Sequence, residues 1–126
     1  MEEREWYNYD NGKTAGKRGL VDGRILLDAE YGDAEEPEDA DARVTLESTA
    51  DGYAVTANLY GGWLQETARF ADEAAARVAF DAAKAQLSDL AALIPDESER
   101  NMDTAIASLN TDIATFVSRF GGKPTL

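Results

Sequence analysis

The chain has 126 residues, 25 acidic against 12 basic, a formal charge of −13, and neither Cys nor His. Disulfides, thiolates and imidazole chemistry are therefore excluded, and any catalysis would fall to Asp, Glu, Lys, Tyr, Ser or Thr. The charge argues against nucleic-acid and anionic-membrane partners, whose phosphates require clustered Lys and Arg.

The length is that of one domain, residues 1–126. Of its hydrophobic residues 22 are Ala, so the core is expected to be thin and lined by helices. Acidity is concentrated in residues 28–99, with eighteen acids against four bases. A Cys-free chain suits a reducing cytoplasm. The opening "MEEREWYNYD" lacks the basic-then-apolar order of a secretion signal, and no run nears the ~20 apolar residues that span a bilayer.

In chain order, "REWYNYDN" reads as an N-terminal strand, followed by a Gly- and Lys-rich connection to residue 19. Within it, Gly12-Lys13-Thr14 copies the end of a phosphate-binding loop. Tyr7 stands where that motif needs its first Gly, so a flexible turn is the reading. "GRILLDAEYG" is a strand with Ile25, Leu27, Ala29 and Tyr31 in phase. Residues 28–41, "DAEYGDAEEPEDAD", hold eight carboxylates and no base. From Gly32 to Asp41 no β-branched or large aliphatic residue appears and Pro37 intervenes, which makes a loop.

"ARVTLESTADGYAVTANLYGGWLQETARF" reads as three strands joined by Asp51-Gly52 and Gly61-Gly62, both favoured hairpin dipeptides. Two-residue turns at both places set a register. Tyr53, Val44, Leu46, Val55, Leu59, Leu64, Ala68 and Phe70 share an apolar face; Arg43, Thr45, Glu47, Thr56, Asn58, Tyr60, Trp63, Gln65, Thr67 and Arg69 share a polar one. Glu66 falls on the apolar face opposite Ala57, where burial would raise its pKa. Asp72 is the expected N-cap of a helix reaching about Leu93, with Ala76, Phe80, Ala83, Leu87, Leu90 and Ile94 as its stripe. A second helix, from about Glu97 to Phe120, repeats apolar residues from Met102 at spacings of four and three and ends at Gly121-Gly122 and Pro124.

Two surfaces stand out as binding candidates. The acidic loop matches no EF-hand frame, because Gly32 is fifth rather than sixth from Asp28. Glu35, Glu36, Glu38 and Asp39 can instead steer a basic partner. On the polar sheet face the register places Arg43 opposite Tyr60 and pairs Tyr60 with Trp63, residue types that anchor interfaces, with Asn58 and Gln65 as hydrogen-bonding neighbours. That face is lost if the segment carrying Trp6, Tyr7 and Tyr9 folds across it.

The expectation is thus a two-layer α+β fold, an antiparallel four- or five-stranded meander sheet covered on one face by two C-terminal helices. Its expected role is a small acidic, non-enzymatic protein-binding module, an adaptor, inhibitor or immunity-like protein, recognising a more basic protein. No catalytic residue, metal ligand or cofactor is assigned. The alternatives are a divalent-metal or small-ligand binding protein or enzyme using carboxylates and, for the second helix, a homodimer through leftover apolar surface.

Overall fold

Alternation of apolar and polar residues from Ala42 to Phe70 gives three consecutive strands one apolar face. In the computed structural model, which describes residues 4–96 and 98–120, they belong to a five-stranded antiparallel sheet. The strands are β1 Glu5–Asn8, β2 Arg24–Gly32, β3 Ala42–Thr49, β4 Gly52–Leu59 and β5 Leu64–Phe70, arranged spatially in sequence order. Helices α1 Glu73–Ala91 and α2 Met102–Phe120 cover one face, giving the expected two-layer α+β architecture with the N-terminal strand present.

The core lies between these layers. Val44, Leu46, Val55, Leu59 and Leu64 meet Phe80, Leu87 and Leu90 of α1 and Leu109, Ile113 and Phe116 of α2. Each such large side chain removed from water contributes roughly 1.5–3 kcal/mol. Of the expected stripe of α1, Ala76, Phe80, Ala83, Leu87 and Leu90 are buried, while Ile94 lies half-buried beyond the helix end at Ala91; the small Ala76 and Ala83 let the helix approach the sheet closely. Asp72 caps α1, its Oδ1 accepting the Ala75 N–H at 2.8 Å.

Three expectations need correction. The β3–β4 turn is Ala50-Asp51, not Asp51-Gly52: Thr49 faces Gly52, neither Ala50 nor Asp51 has positive φ, and Gly52 carries the unusual conformation at φ 149°. Every β3 residue is thereby paired two positions earlier on β4 than expected, so Arg43 lies opposite Asn58 rather than Tyr60. A slip of two preserves the faces, which is why the apolar partition survives. The β4–β5 register is as expected, with Leu59 opposite Leu64 and Ala57 opposite the half-buried Glu66.

In β2, an irregularity between Ile25 and Leu27 sets Ile25 opposite Glu47 and Leu27 opposite Leu46. An extra residue reverses side-chain alternation, so Ile25 leaves the phase of Leu27, Ala29 and Tyr31. It is buried yet stands outside the helix-facing apolar cluster.

The second helix begins at Met102, not about Glu97. The Asp96 carboxylate accepts the Ser98 N–H at 2.9 Å and the Ser98 hydroxyl, and that of Glu99 accepts the Asn101 N–H at 3.1 Å. Such local side-chain bonds compete with helix formation. Gly121, Gly122 and Pro124, read as the end of this helix, lie outside the described residues.

The connection from Lys13 to Gly23 crosses the sheet face opposite the helices. Gly16 N–H bonds Ile25 C=O at 2.8 Å and Ile25 N–H bonds Lys17 C=O at 2.9 Å, carrying the chain alongside the start of β2. It then wraps the carboxylate of Glu47, which is fully buried. Leu20 and Val21 N–H donate to Glu47 Oε2 at 2.9 and 3.3 Å, and Gly23 N–H donates to Oε1 at 3.0 Å. Converging backbone N–H groups form an anion-binding concavity, occupied here by the chain's own carboxylate. Gly23 is required: a Cβ there would stand 2.4 Å from the Ser48 carbonyl oxygen.

Glu47→Ala strands these N–H groups and leaves a void. Urea unfolding should register a loss of about 2–4 kcal/mol. Asp89→Ala, at an exposed position on α1, should stay within about 0.5 kcal/mol. Equal costs for the two would mean that Glu47 does not hold the connection.

Candidate functional site

The face away from the helices is built from the outward phase of each strand. β2 contributes Asp28 and Glu30, β3 contributes Arg43, Thr45 and Glu47, and β4 contributes Thr56 and Asn58. Asp28, Glu30, Thr45, Glu47 and Thr56 are all buried. A buried polar group is tolerable only when hydrogen-bonded, and each carboxylate here finds a different kind of donor.

Asp28 takes the guanidinium. Arg43 Nε donates to Asp28 Oδ1 at 2.9 Å and Nη2 donates to Oδ2 at 2.7 Å. Hydroxyls of Thr45 and Thr14 add bonds at 3.0 Å each. This bidentate pair raises the Arg43 pKa, principally through the Asp28 hydrogen bonds. The same guanidinium lies over the Tyr9 ring, 3.8 Å from its centroid.

Glu30 is directly across the strand from Arg43, yet its hydrogen bonds come from phenols. Tyr7 donates to Oε1 at 3.0 Å and Tyr60 to Oε2 at 2.7 Å. Burial first, then the bond to Glu30, pushes the Tyr7 hydroxyl up to about 12 and raises that of Tyr60 as well.

The expected sheet-face anchor is kept together only in part. Arg43 and Tyr60 join the carboxylate network beneath Tyr9. Trp63 lies in the turn beyond the last β4–β5 pair, packs on the apolar core, and lines a groove that it shares with Asn58, Tyr60 and Gln65 and that reaches Ile113 and Val117 of α2. Asn58 and Gln65 do meet, Nδ2 of the former donating to Oε1 of the latter at 3.3 Å, with Gln65 exposed. The N-terminal segment covers the β2–β3 side of the face and leaves Gln65 and Arg69 on β5 open.

Glu35, Glu36, Glu38 and Asp39 are all exposed, as expected of a loop. Asp33 and Asp39, crowding Glu36 with like charge, raise its pKa. Beside this loop a recess of about 460 Å³ opens between Tyr7, Tyr9, Asp10, Glu30 and Glu38, with no Lys or Arg among its described lining residues. One wall is formed by Asp10 and Asn11 of the turn that ends at Gly12, the three having φ of 50°, 57° and 80°. Asp and Asn tolerate this left-handed region better than other side chains, at a cost of roughly 1–2 kcal/mol per residue. The recess presents aromatic surface, a buried carboxylate at Glu30 and carboxylates at Asp10 and Glu38, which together suit an organic cation. Among the described residues no group of three Asp or Glu converges as metal ligands would.

Sequence reading missed Asp28, Glu30 and Glu47 because it treated the acidic run and the polar face as solvated. A signal was present: in "DAEY", Asp28 and Glu30 occupy the phase opposite Ala29 and Tyr31, and Tyr7 and Tyr9 repeat at the same spacing.

Tyr7 and Tyr60 carry folded pKa values above the unfolded value near 10, so the folded state binds the extra protons. Their contribution to stability is complete below about pH 10 and is lost as pH climbs through about 12 for Tyr7. In an ultraviolet titration of the five tyrosines, two should ionise late, and Tyr60→Phe should remove one of them. A single wave near pH 10 in the folded protein would contradict the network. No protein-family model, curated protein or solved structure matches the chain.

Proposed function

We propose that the chain is a small acidic, non-enzymatic binding module that recognises a more basic protein, receiving a Lys or Arg side chain of that partner in the tyrosine-walled recess. The observation that carries this reading is the recess itself: Tyr7, Tyr9, Asp10, Glu30 and Glu38 line it, with no Lys or Arg among its described lining residues. The exposed carboxylates of Glu35, Glu36, Glu38 and Asp39 lie on the approach and steer a positive surface toward it. Asp28 and Glu47 are engaged in holding the fold and Glu30 already accepts from two phenols, which leaves all three poor candidates for turnover. Adaptor, inhibitor and immunity-like roles all use such a surface.

On this reading the chain acts as one domain in the cytoplasm, consistent with a sequence free of Cys. No described helix is long and apolar enough to cross a membrane. The excess of carboxylates disfavours nucleic acid as the partner.

A tetra-arginine amide serves as probe. Its binding should shift the ring-proton resonances of Tyr7 and Tyr9 and weaken with added salt. Glu38→Gln and Asp10→Asn should each reduce affinity by roughly threefold to tenfold, whereas Asp81→Asn and Asp89→Asn on α1 should leave it unchanged. If all four substitutions act alike, the attraction is general charge and the recess is not the site.

A further inference from the structure

The other edge of the sheet is unlike the acidic end. β5 is the last strand, and no described strand lies beyond it. Tyr60 N–H bonds Asp41 C=O at 2.9 Å, so the backbone of Tyr60 points toward β3 and that of Leu59 toward β5. Antiparallel alternation then turns Leu64, Glu66, Ala68 and Phe70 toward β4, and directs the N–H and C=O groups of Gln65, Thr67 and Arg69 outward. Unpaired groups in such a row are a template for another strand.

We propose that this edge pairs with the same edge of a second copy of the chain, antiparallel about Thr67, joining two sheets into one. The sequence of β5 is self-complementary in that register. Thr67 meets Thr67 of the second copy and Gln65 meets its Arg69, each pair exchanging two backbone bonds because both members point outward. Between them Glu66 faces Ala68, and Leu64 faces Phe70. Polar pairs fall on the open face, and the helix side receives Leu64 against Phe70 and Glu66 against the small Ala68. Shifting the axis to Glu66 would oppose two carboxylates, which is destabilising, so Glu66 guards the register.

Charge selects a second copy and selects this edge. A chain of −13 meets its twin with least repulsion where acids are sparse, and residues 63–71 hold one Glu and one Arg. The opposite edge, β1, has four residues and lies near the loop with Glu35, Glu36, Glu38 and Asp39. The groove of about 440 Å³ that includes Trp63, Leu64, Ile113 and Val117 runs along the β5 side and would be closed by the partner's helical layer. The inference is independent of the recess, which lies at the other end of the sheet.

Sedimentation velocity of the full chain should show a concentration-dependent dimer. Gln65→Glu, facing Arg69 of the second copy, should tighten it, and Gln65→Arg should weaken it by about tenfold, since two equivalent pairs change together. Because the chain lacks Cys, Thr67→Cys provides a register probe. Paired residues about 5.5 Å apart at Cα are within disulfide reach, so mild oxidation should link two copies at Cys introduced there and much more slowly in Ser118→Cys on exposed α2. Circular dichroism should first establish that each variant is folded; Gln65 is exposed and so tolerant of change. A monomer at every concentration, insensitivity to both Gln65 substitutions, or equally fast linking in Ser118→Cys would overturn the proposal.

Discussion

Three carboxylates buried on the sheet face opposite the helices determine how the rest of the molecule is assembled. Asp28, Glu30 and Glu47 lie on neighbouring strands, and Arg43 is the cation that engages this group directly. A carboxylate removed from water without compensation is prohibitively costly. Arg43 satisfies Asp28; Glu30 and Glu47 must be supplied from elsewhere, by phenols and by backbone N–H groups. That need draws the N-terminal strand and its connection onto the sheet and makes a polar face into an interior.

This second interior differs in kind from the first. Between sheet and helices, packing is non-directional, and hydrophobic residues of about the right volume suffice. Across the other face, stability depends on donors meeting acceptors within a few tenths of an ångström. Ile25 and Ala54 add the apolar part of that layer, beneath a chain otherwise rich in Gly, Lys and Arg. The charge left unburied gathers in the loop before β3, so one end of the sheet is strongly acidic while the β5 edge is close to neutral.

Helices, strands and the apolar partition were legible in the sequence because each rests on periodicity. The β3–β4 register was not, since alternation cannot distinguish two pairings that differ by two residues, and Arg43 was therefore given the wrong neighbour. The phase of Ile25 was hidden by one extra residue in β2. Burial of the polar face was hidden for another reason: the segment that covers Glu47 binds through main-chain N–H groups, and side-chain composition says nothing about those. The aromatic pair Tyr7 and Tyr9, in β1 and just after it, is close enough to cross the open face, and Tyr9 does lie over Arg43. The Gly61-Gly62 turn carries Trp63 onto the apolar core, where it shares a groove with Tyr60.

The sheet is a simple meander in which each strand pairs with its neighbour in sequence, a topology of mostly local contacts that permits rapid assembly. The connection around Glu47 breaks that pattern. Its donors at Leu20, Val21 and Gly23 precede their acceptor by 24 to 27 residues. During synthesis the amino-terminal portion therefore emerges without the group it must enclose, and it gains its resting place only after β3 has formed. A strand of the sheet thus acts as the template on which a segment earlier in the sequence settles.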